Sequence, residues 1–230
     1  MDKLKSIKKT VVFCTYIIFG ICLVVPPGAS AEDDLQYWSQ YLFKVYSKEK
    51  VSVSFYSEGR LTDDFGRLGY YQFTPQVRYA VHKNLDLQLN CTYLETRNNT
   101  QKNFTYHVRL EPEINPHFTF GNGLEVYFRN RVEFRSIEDK GSDNTRYRGR
   151  VRMTVPVKNI WRVRSMFADT ELFYDFTDND HLEQRTIPFG LNLKLCDAAD
   201  LQLFYMVQHR KSAQDWSANQ ILGSMVTFKF

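Results

Sequence analysis

The chain of 230 residues is poor in the groups that most catalytic and metal sites use. It has 5 His and 4 Cys, and two of those cysteines, Cys14 and Cys22, lie within its first 31 residues. The other two, Cys91 and Cys196, fall in mid-strand on an apolar face and in a turn about half the chain away. That placement reads as two unpaired thiols rather than a disulfide. No metal and no cofactor is expected. Lys and Arg form no block outside the first residues, so nothing points to nucleic acid. Helical periodicity is also missing, since no segment after residue 31 carries a 3.6-residue apolar stripe. The one long apolar run, residues 11–25, is 15 residues long, where a membrane-spanning helix needs roughly 20.

That run reads as part of a targeting segment. Lys3, Lys5, Lys8 and Lys9 precede it, and the small-x-small motif Ala29-Ser30-Ala31 follows, the order of a secretory signal peptide. Cleavage after Ala31 leaves residues 32–230 as one domain. The formal net charge of +4 rests on 30 basic and 26 acidic residues. Four Lys and one Asp belong to residues 1–31, so 26 and 25 remain. The basic balance therefore belongs largely to the leader.

What the rest of the chain has is alternation with a period of two. Leu85, Leu87, Leu89, Cys91 and Tyr93 alternate with Asp86, Gln88, Asn90 and Thr92. Tyr71, Phe73, Pro75, Val77 and Tyr79 do so with Gln72, Thr74, Gln76 and Arg78. Further on, Ile187, Phe189, Leu191 and Leu193 are read as one face, with Gly190, Asn192 and Lys194 on the other. Eleven segments qualify, near 35–46, 51–61, 70–81, 85–96, 104–115, 123–135, 146–156, 161–176, 184–195, 201–211 and 218–230. Most run 10 to 13 residues, enough for a tilted strand to cross a bilayer and long for a soluble sandwich. Short turns alternate with longer polar loops, the arrangement of outer-membrane barrels with short periplasmic turns; Pro116–Gly123 is the exception, periplasmic by this count yet longer than its peers. The chain ends I-L-G-S-M-V-T-F-K-F, with Leu222, Val226, Phe228 and Phe230 on one face. An apolar strand closing on Phe resembles the assembly signal of outer-membrane barrels, carried here by Val226, Phe228 and Phe230.

The expected fold is therefore all-β: a transmembrane antiparallel up-and-down barrel. Bacterial single-chain barrels have even strand numbers, so ten or twelve strands are expected. The segment at 35–46 is the weakest, and the closing strand should find an antiparallel partner near the N-terminus. A soluble carrier with an apolar interior would show the same alternation. Against it stand the paired opposite charges confined to the polar faces and the Tyr and Phe near the apolar strand ends.

Tyr37-Trp38, Glu58-x-Arg60, Arg109-x-Glu111-Pro112, Arg129-x-Arg131-x-Glu133-x-Arg135, Arg148-x-Arg150-x-Arg152 and the closing aromatic together resemble one family. It is the outer-membrane β-barrel family catalogued as domain of unknown function 2490, and the likeness covers nearly all of residues 35–230. The resemblance implies location and fold and supplies no activity.

Inward parity collects Glu58, Arg60, Arg78, Arg109, Glu111, Glu113, Glu125, Arg129, Arg131, Glu133, Arg135, Arg148, Arg150, Arg152, Arg162, Arg164, Asp169, Glu171 and Asp175. Two readings follow. Arg fits carboxylates bidentately, so these groups would brace a narrow barrel as an ion-pair lattice. Alternatively, eight of these arginines, those from Arg129 to Arg164, opposed locally only by Glu125 and Glu133, would line an anion-preferring constriction. A third reading, a lipid- or lipid A-modifying hydrolase, rests on His209 near the outer rim with Ser212 three residues on. No acid orients His209 in sequence, and no catalytic activity is expected. The expected surroundings are outer-membrane lipid, the barrel assembly machinery and small anionic solutes, with the protein a monomer in the outer membrane.

Overall fold

In the computed structural model the described residues are 34–97, 103–138, 141–158, 160–212 and 215–230. The proposed signal peptide lies outside them. Among the described residues there are eleven strands: β1 Asp34–Lys48, β2 Val51–Thr62, β3 Arg67–His82, β4 Leu85–Arg97, β5 Phe104–Thr119, β6 Glu125–Ile137, β7 Gly141–Pro156, β8 Val163–Asp175, β9 Asp180–Lys194, β10 Ala199–Ser212 and β11 Asp215–Lys229. Each pairs with its sequence neighbours, and β1 meets β11 to close the barrel.

The closure departs from expectation. All eleven predicted segments are full strands, the weak first one included, so the number is neither ten nor twelve. With an odd number, the first and last strands must run the same way, and β1 does pair parallel to β11, from Asp34 against Asn219 to Lys44 against Lys229. The antiparallel partner expected for the closing strand is absent, and a parallel one takes its place. Strands of 12 to 16 residues alternate exposed and buried positions. Phe55, Phe73, Val77, Leu89, Val108, Leu110, Phe134, Leu203 and Leu222 are among the large apolar side chains exposed outward. Glu58, Asn90, Glu111, Glu133 and Glu171 are buried inside. A barrel folded for water would reverse these faces.

Eleven strands spaced about 4.8 Å apart and tilted about 40° give a backbone radius of roughly 11 Å. An extended Arg reaches about 7 Å, so extended side chains from opposite walls would leave roughly 8 Å between their tips. The interior is filled in two ways. Around β5 to β9 it is filled by charge. Across β8, β9, β10, β11 and β1 it holds an apolar cluster of Phe167, Ile187, Phe204, Met206, Ile221 and Trp38. One register row there alternates large and absent side chains: Phe167, Gly190, Phe204, Gly223, Trp38. The rings lie over the glycines. A Cβ on Gly190 would fall 2.3 Å from the Phe167 ring, and one on Gly223 would fall 2.1 Å from that of Phe204.

One bulge shifts the parity that simple alternation assigns. On β9, Gly190 faces Phe167 and Phe204, while Ile187 faces Asp169 and Thr186 faces Val207, so β9 carries an extra residue against both neighbours. Pro188 sits in this bulge, where its missing N–H costs no ladder bond. Ile187 consequently points inward at 5% exposure while Phe189 stays outside at 46%. The sequence reading of Ile187 as lipid-facing is corrected by this bulge.

The two rims carry connections of similar length, so the alternation of short turns with longer loops expected from the sequence is not kept. Residues 49–50, 83–84, 120–124, 157–162 and 195–198 join strands at the rim that holds the C-terminus, the turn rim. Residues 63–66, 98–103, 138–140, 176–179 and 213–214 join them at the other, the loop rim, which also holds Asp34, whose carboxylate accepts a hydrogen bond from Asp64 N (3.1 Å) in the β2–β3 loop. Cys91 and Cys196 are free.

Candidate functional site

The charged interior is built around Glu133, which is fully buried. Its two oxygens lie 2.6 Å from Arg146 and 2.7 Å from Arg148, with Arg109 at 3.8 Å and Arg131 at 4.0 Å. Strand register explains the grouping. Glu133 stands opposite Arg146 on β7, and Arg131 stands opposite Arg148. Arg148 then turns a bidentate fork to Glu171 on β8, Nε to Oε1 at 3.0 Å and Nη2 to Oε2 at 3.1 Å. Planar forks of this kind fix orientation as well as charge.

The lattice spreads from this centre. Arg131 pairs with Glu111 (2.8 Å) and with Glu113, and Asn90 donates to Glu113 at 2.9 Å. Arg129 shares Glu171, Arg135 pairs with Asp175, and Arg152 pairs with Asp169 at 2.6 Å. Phe173 is fully buried in the middle, with the guanidinium carbons of Arg148, Arg185 and Arg146 at 4.5, 4.6 and 5.0 Å from its ring centre. Toward the loop rim Arg60 is held between two rings, 3.6 Å from Trp38 and 3.8 Å from Tyr70, with Glu58 beside it. Midway along β3 and β4 the inward side chains are uncharged and polar, as in the hydroxyl pair Thr74–Thr92 at 3.0 Å.

Some sequence-predicted members stand apart. Glu125 is exposed at the start of β6 and makes no ion pair among the described residues. Arg162 is not on a strand. It lies in the β7–β8 turn with a positive φ of 52°, over the ring of Trp161. Arg164 is half-exposed at the rim, 3.7 Å from Asp200. Arg78 is half-exposed near the turn rim, 2.6 Å from Asp86. Lys229 reaches the same Asp200 from β11, while Phe228 faces outward and stacks on Phe43 at 5.2 Å.

Three partners escaped the sequence reading. Arg146 is the first residue of the predicted segment 146–156, whereas β7 begins at Gly141. Glu183 falls just before the predicted segment 184–195 and Arg185 lies before the Pro188 bulge, yet the two pair at 2.6 Å inside the barrel. Pro188, and aromatics on polar parity beside Gly190 and Gly223, were the available signals. His209 does lie on outward parity but is buried, at 5% exposure. The side chain of Ser212 lies outside the described residues. In the β8–β9 connection Asp175 accepts a hydrogen bond from Thr177 N at 3.0 Å. Among the described residues, no group of three His, Cys, Asp or Glu side chains could hold a metal ion.

Within the packed interior a cavity of 340 Å³ remains. Ten arginines and six carboxylates line it, namely Glu58, Glu111, Glu113, Asp169, Glu171 and Glu183. Glu133 sits behind Arg146 and Arg148, so the wall keeps an excess of positive charge.

A family model described as "Protein of unknown function (DUF2490)" matches residues 35–219. No curated protein matches the chain. Among solved structures the chain is similar to one titled "Bacterial polysaccharide outer membrane secretin", with 7% sequence identity and a TM-score of 0.47, over 79% of this chain and 74% of that chain.

Proposed function

This chain belongs to the DUF2490 family of proteins of unknown function, and we propose that it is an outer-membrane β-barrel whose braced, arginine-rich lumen admits small anions. The exposed apolar side chains around the barrel support the membrane as its solvent, since a spanning sheet must close and must turn apolar groups to lipid. In this reading the turn rim and Phe230 face the periplasm, and the loops and Asp34 face outward. The edge carrying Val226, Phe228 and Phe230 is what the assembly machinery would engage before β1 closes on it. The role is non-catalytic.

The cavity carries the anion reading. Ten guanidinium groups against six carboxylates leave the wall positive, and a low-dielectric wall of one sign concentrates counter-ions. The lattice around Glu133 supports a narrow passage rather than a wide aqueous channel, because crossing Arg–Glu pairs occupy most of the bore. Planar-bilayer recording in a salt gradient tests this. Small conductance with a reversal potential favouring anions is expected. Cation preference would refute it, and a correctly folded barrel with no conductance would reduce the role to a structural one. Phospholipid or lipid A hydrolysis by purified protein that is lost in His209→Ala would refute the non-catalytic assignment.

A further inference from the structure

We propose that the cavity contains a specific site for a small organic oxyanion, its acid group held by Arg129 and Arg150 and its apolar part against Leu42 and Met225. The proposal rests on the anion-preferring reading of the lumen and names its ligand class.

Arg129 and Arg150 stand directly opposite each other on β6 and β7. Like charges in that position repel. In the β7–β8 register the residue opposite Arg150 is Glu171, but Glu171 is already taken by Arg129 and by both forks of Arg148. One pleat nearer the turn rim, Arg152 is matched by Asp169 alone. Arg150 is left with no ion pair and no side-chain hydrogen bond among the described residues. The Nε atoms of both Arg129 and Arg150 are shut off from solvent and have no hydrogen-bond partner there. Both side chains line the cavity, as does Tyr127, the preceding inward residue on β6.

Every other arginine at the lattice centre has a carboxylate, so this positive charge is unmatched at one place. An oxyanion would supply what is missing, since a phosphate or carboxylate group accepts from guanidinium forks in their own geometry. On the opposite wall β1, β10 and β11 turn Trp38, Leu42, Phe204 and Met225 to the same cavity. Those side chains offer nothing to a hydrated inorganic ion and suit an apolar body. The space is sufficient: a cavity of about 150 Å³ accepts benzene, and this one measures 340 Å³.

Calorimetric titration of the folded barrel in detergent micelles tests the site, with phenyl phosphate, inorganic phosphate and sodium chloride as probes. Phenyl phosphate should bind saturably, at least about tenfold tighter than inorganic phosphate. Arg150→Gln should weaken both by about tenfold or more, as the loss of a charge-assisted hydrogen bond does. Arg150→Lys, which keeps the charge and loses the fork, should fall between. Because Arg150 has no ion pair and no side-chain hydrogen bond among the described residues, Arg150→Gln should also leave urea stability unchanged or raise it. Equal binding by wild type and Arg150→Gln, or heats that merely follow ionic strength, would overturn the site. Equal affinity for the two phosphates would overturn its apolar half. Marked destabilisation by Arg150→Gln would show that Arg150 is paired and overturn the premise. Reversal potentials on the same samples separate the two levels. Anion preference without phenyl phosphate binding removes the site and keeps the passage, whereas cation preference removes both.

Discussion

Replacing Glu133 with Gln removes one negative charge without changing shape, and the lattice makes the outcome calculable. Four arginines lie within 4.0 Å of this carboxylate. Arg148 keeps Glu171, and Arg131 keeps Glu111 and Glu113. Arg146 and Arg109 keep no other ion pair among the described residues. Their side chains are 12% and 11% exposed, so water relieves them only partly. Stranding one buried charge costs about 3–5 kcal/mol. With Arg146 at 2.6 Å and Arg109 more loosely held at 3.8 Å, Glu133→Gln should cost at least about 3 kcal/mol. Urea unfolding of the barrel in detergent, followed by tryptophan emission and by the gel mobility shift of folded barrels, measures it. The double substitution Glu133→Gln with Arg146→Gln should recover much of the loss, because removing both partners avoids the uncompensated charge. A single-variant loss below about 1 kcal/mol, or strict additivity in the double variant, would refute a load-sharing role for Glu133.

Three other substitutions test separate parts of the structure. Gly223→Ala places a methyl group against Phe204 and should cost about 1–3 kcal/mol by overpacking, with relief when Phe204→Leu is added; thermal unfolding of the three variants decides it. Ser39→Cys with Ser224→Cys, in a background of Cys91→Ser and Cys196→Ser, joins two residues directly paired across β1 and β11. Oxidation should give an intramolecular crosslink seen as altered gel mobility, whereas a barrel closed without β1 would give none. Asp64→Cys, in the β2–β3 loop, should react with a membrane-impermeant maleimide on intact cells if the loop rim faces outward, and failure to label would reverse the orientation.

Most of the barrel can be read from its sequence because each strand carries its own evidence. Alternation such as Leu85 to Tyr93 identifies a strand and its two faces without reference to any partner. Closure is different. The pairing of Asp34 with Asn219 joins residues from opposite ends of the chain, and nothing local to either encodes parallel or antiparallel. An odd strand number closed by a parallel pair is therefore visible only in the register. Parity fails where a bulge intervenes: Ile187 and Phe189 read as one face and lie on opposite ones. The same limit hid Arg185 and Glu183. Strand ends are the other weak point, since Glu125 and Arg162 have inward parity but lie beyond the walls that would enclose them.

The lattice also bears on why this interior is charged rather than apolar. Buried ion pairs are often no more stabilising than apolar groups of the same volume, so stability alone does not account for them. Register does. On β7 the inward positions include Arg146, Arg148, Arg150 and Arg152, between outward Tyr147, Val151 and Met153. A slip by one residue exchanges the two faces. With an apolar interior both faces would suit lipid, and such a slip would cost little. With arginine inside, the slipped strand would expose its two central guanidinium groups to the bilayer at about 2–4 kcal/mol each, roughly 4–8 kcal/mol before any lost ion pair is counted. Where the face switches at Pro188, the side chain turned inward is Ile187, which carries no charge. Arg150 then stands out as the member of this set whose charge serves the face choice but no ion pair, which leaves it free to meet a ligand.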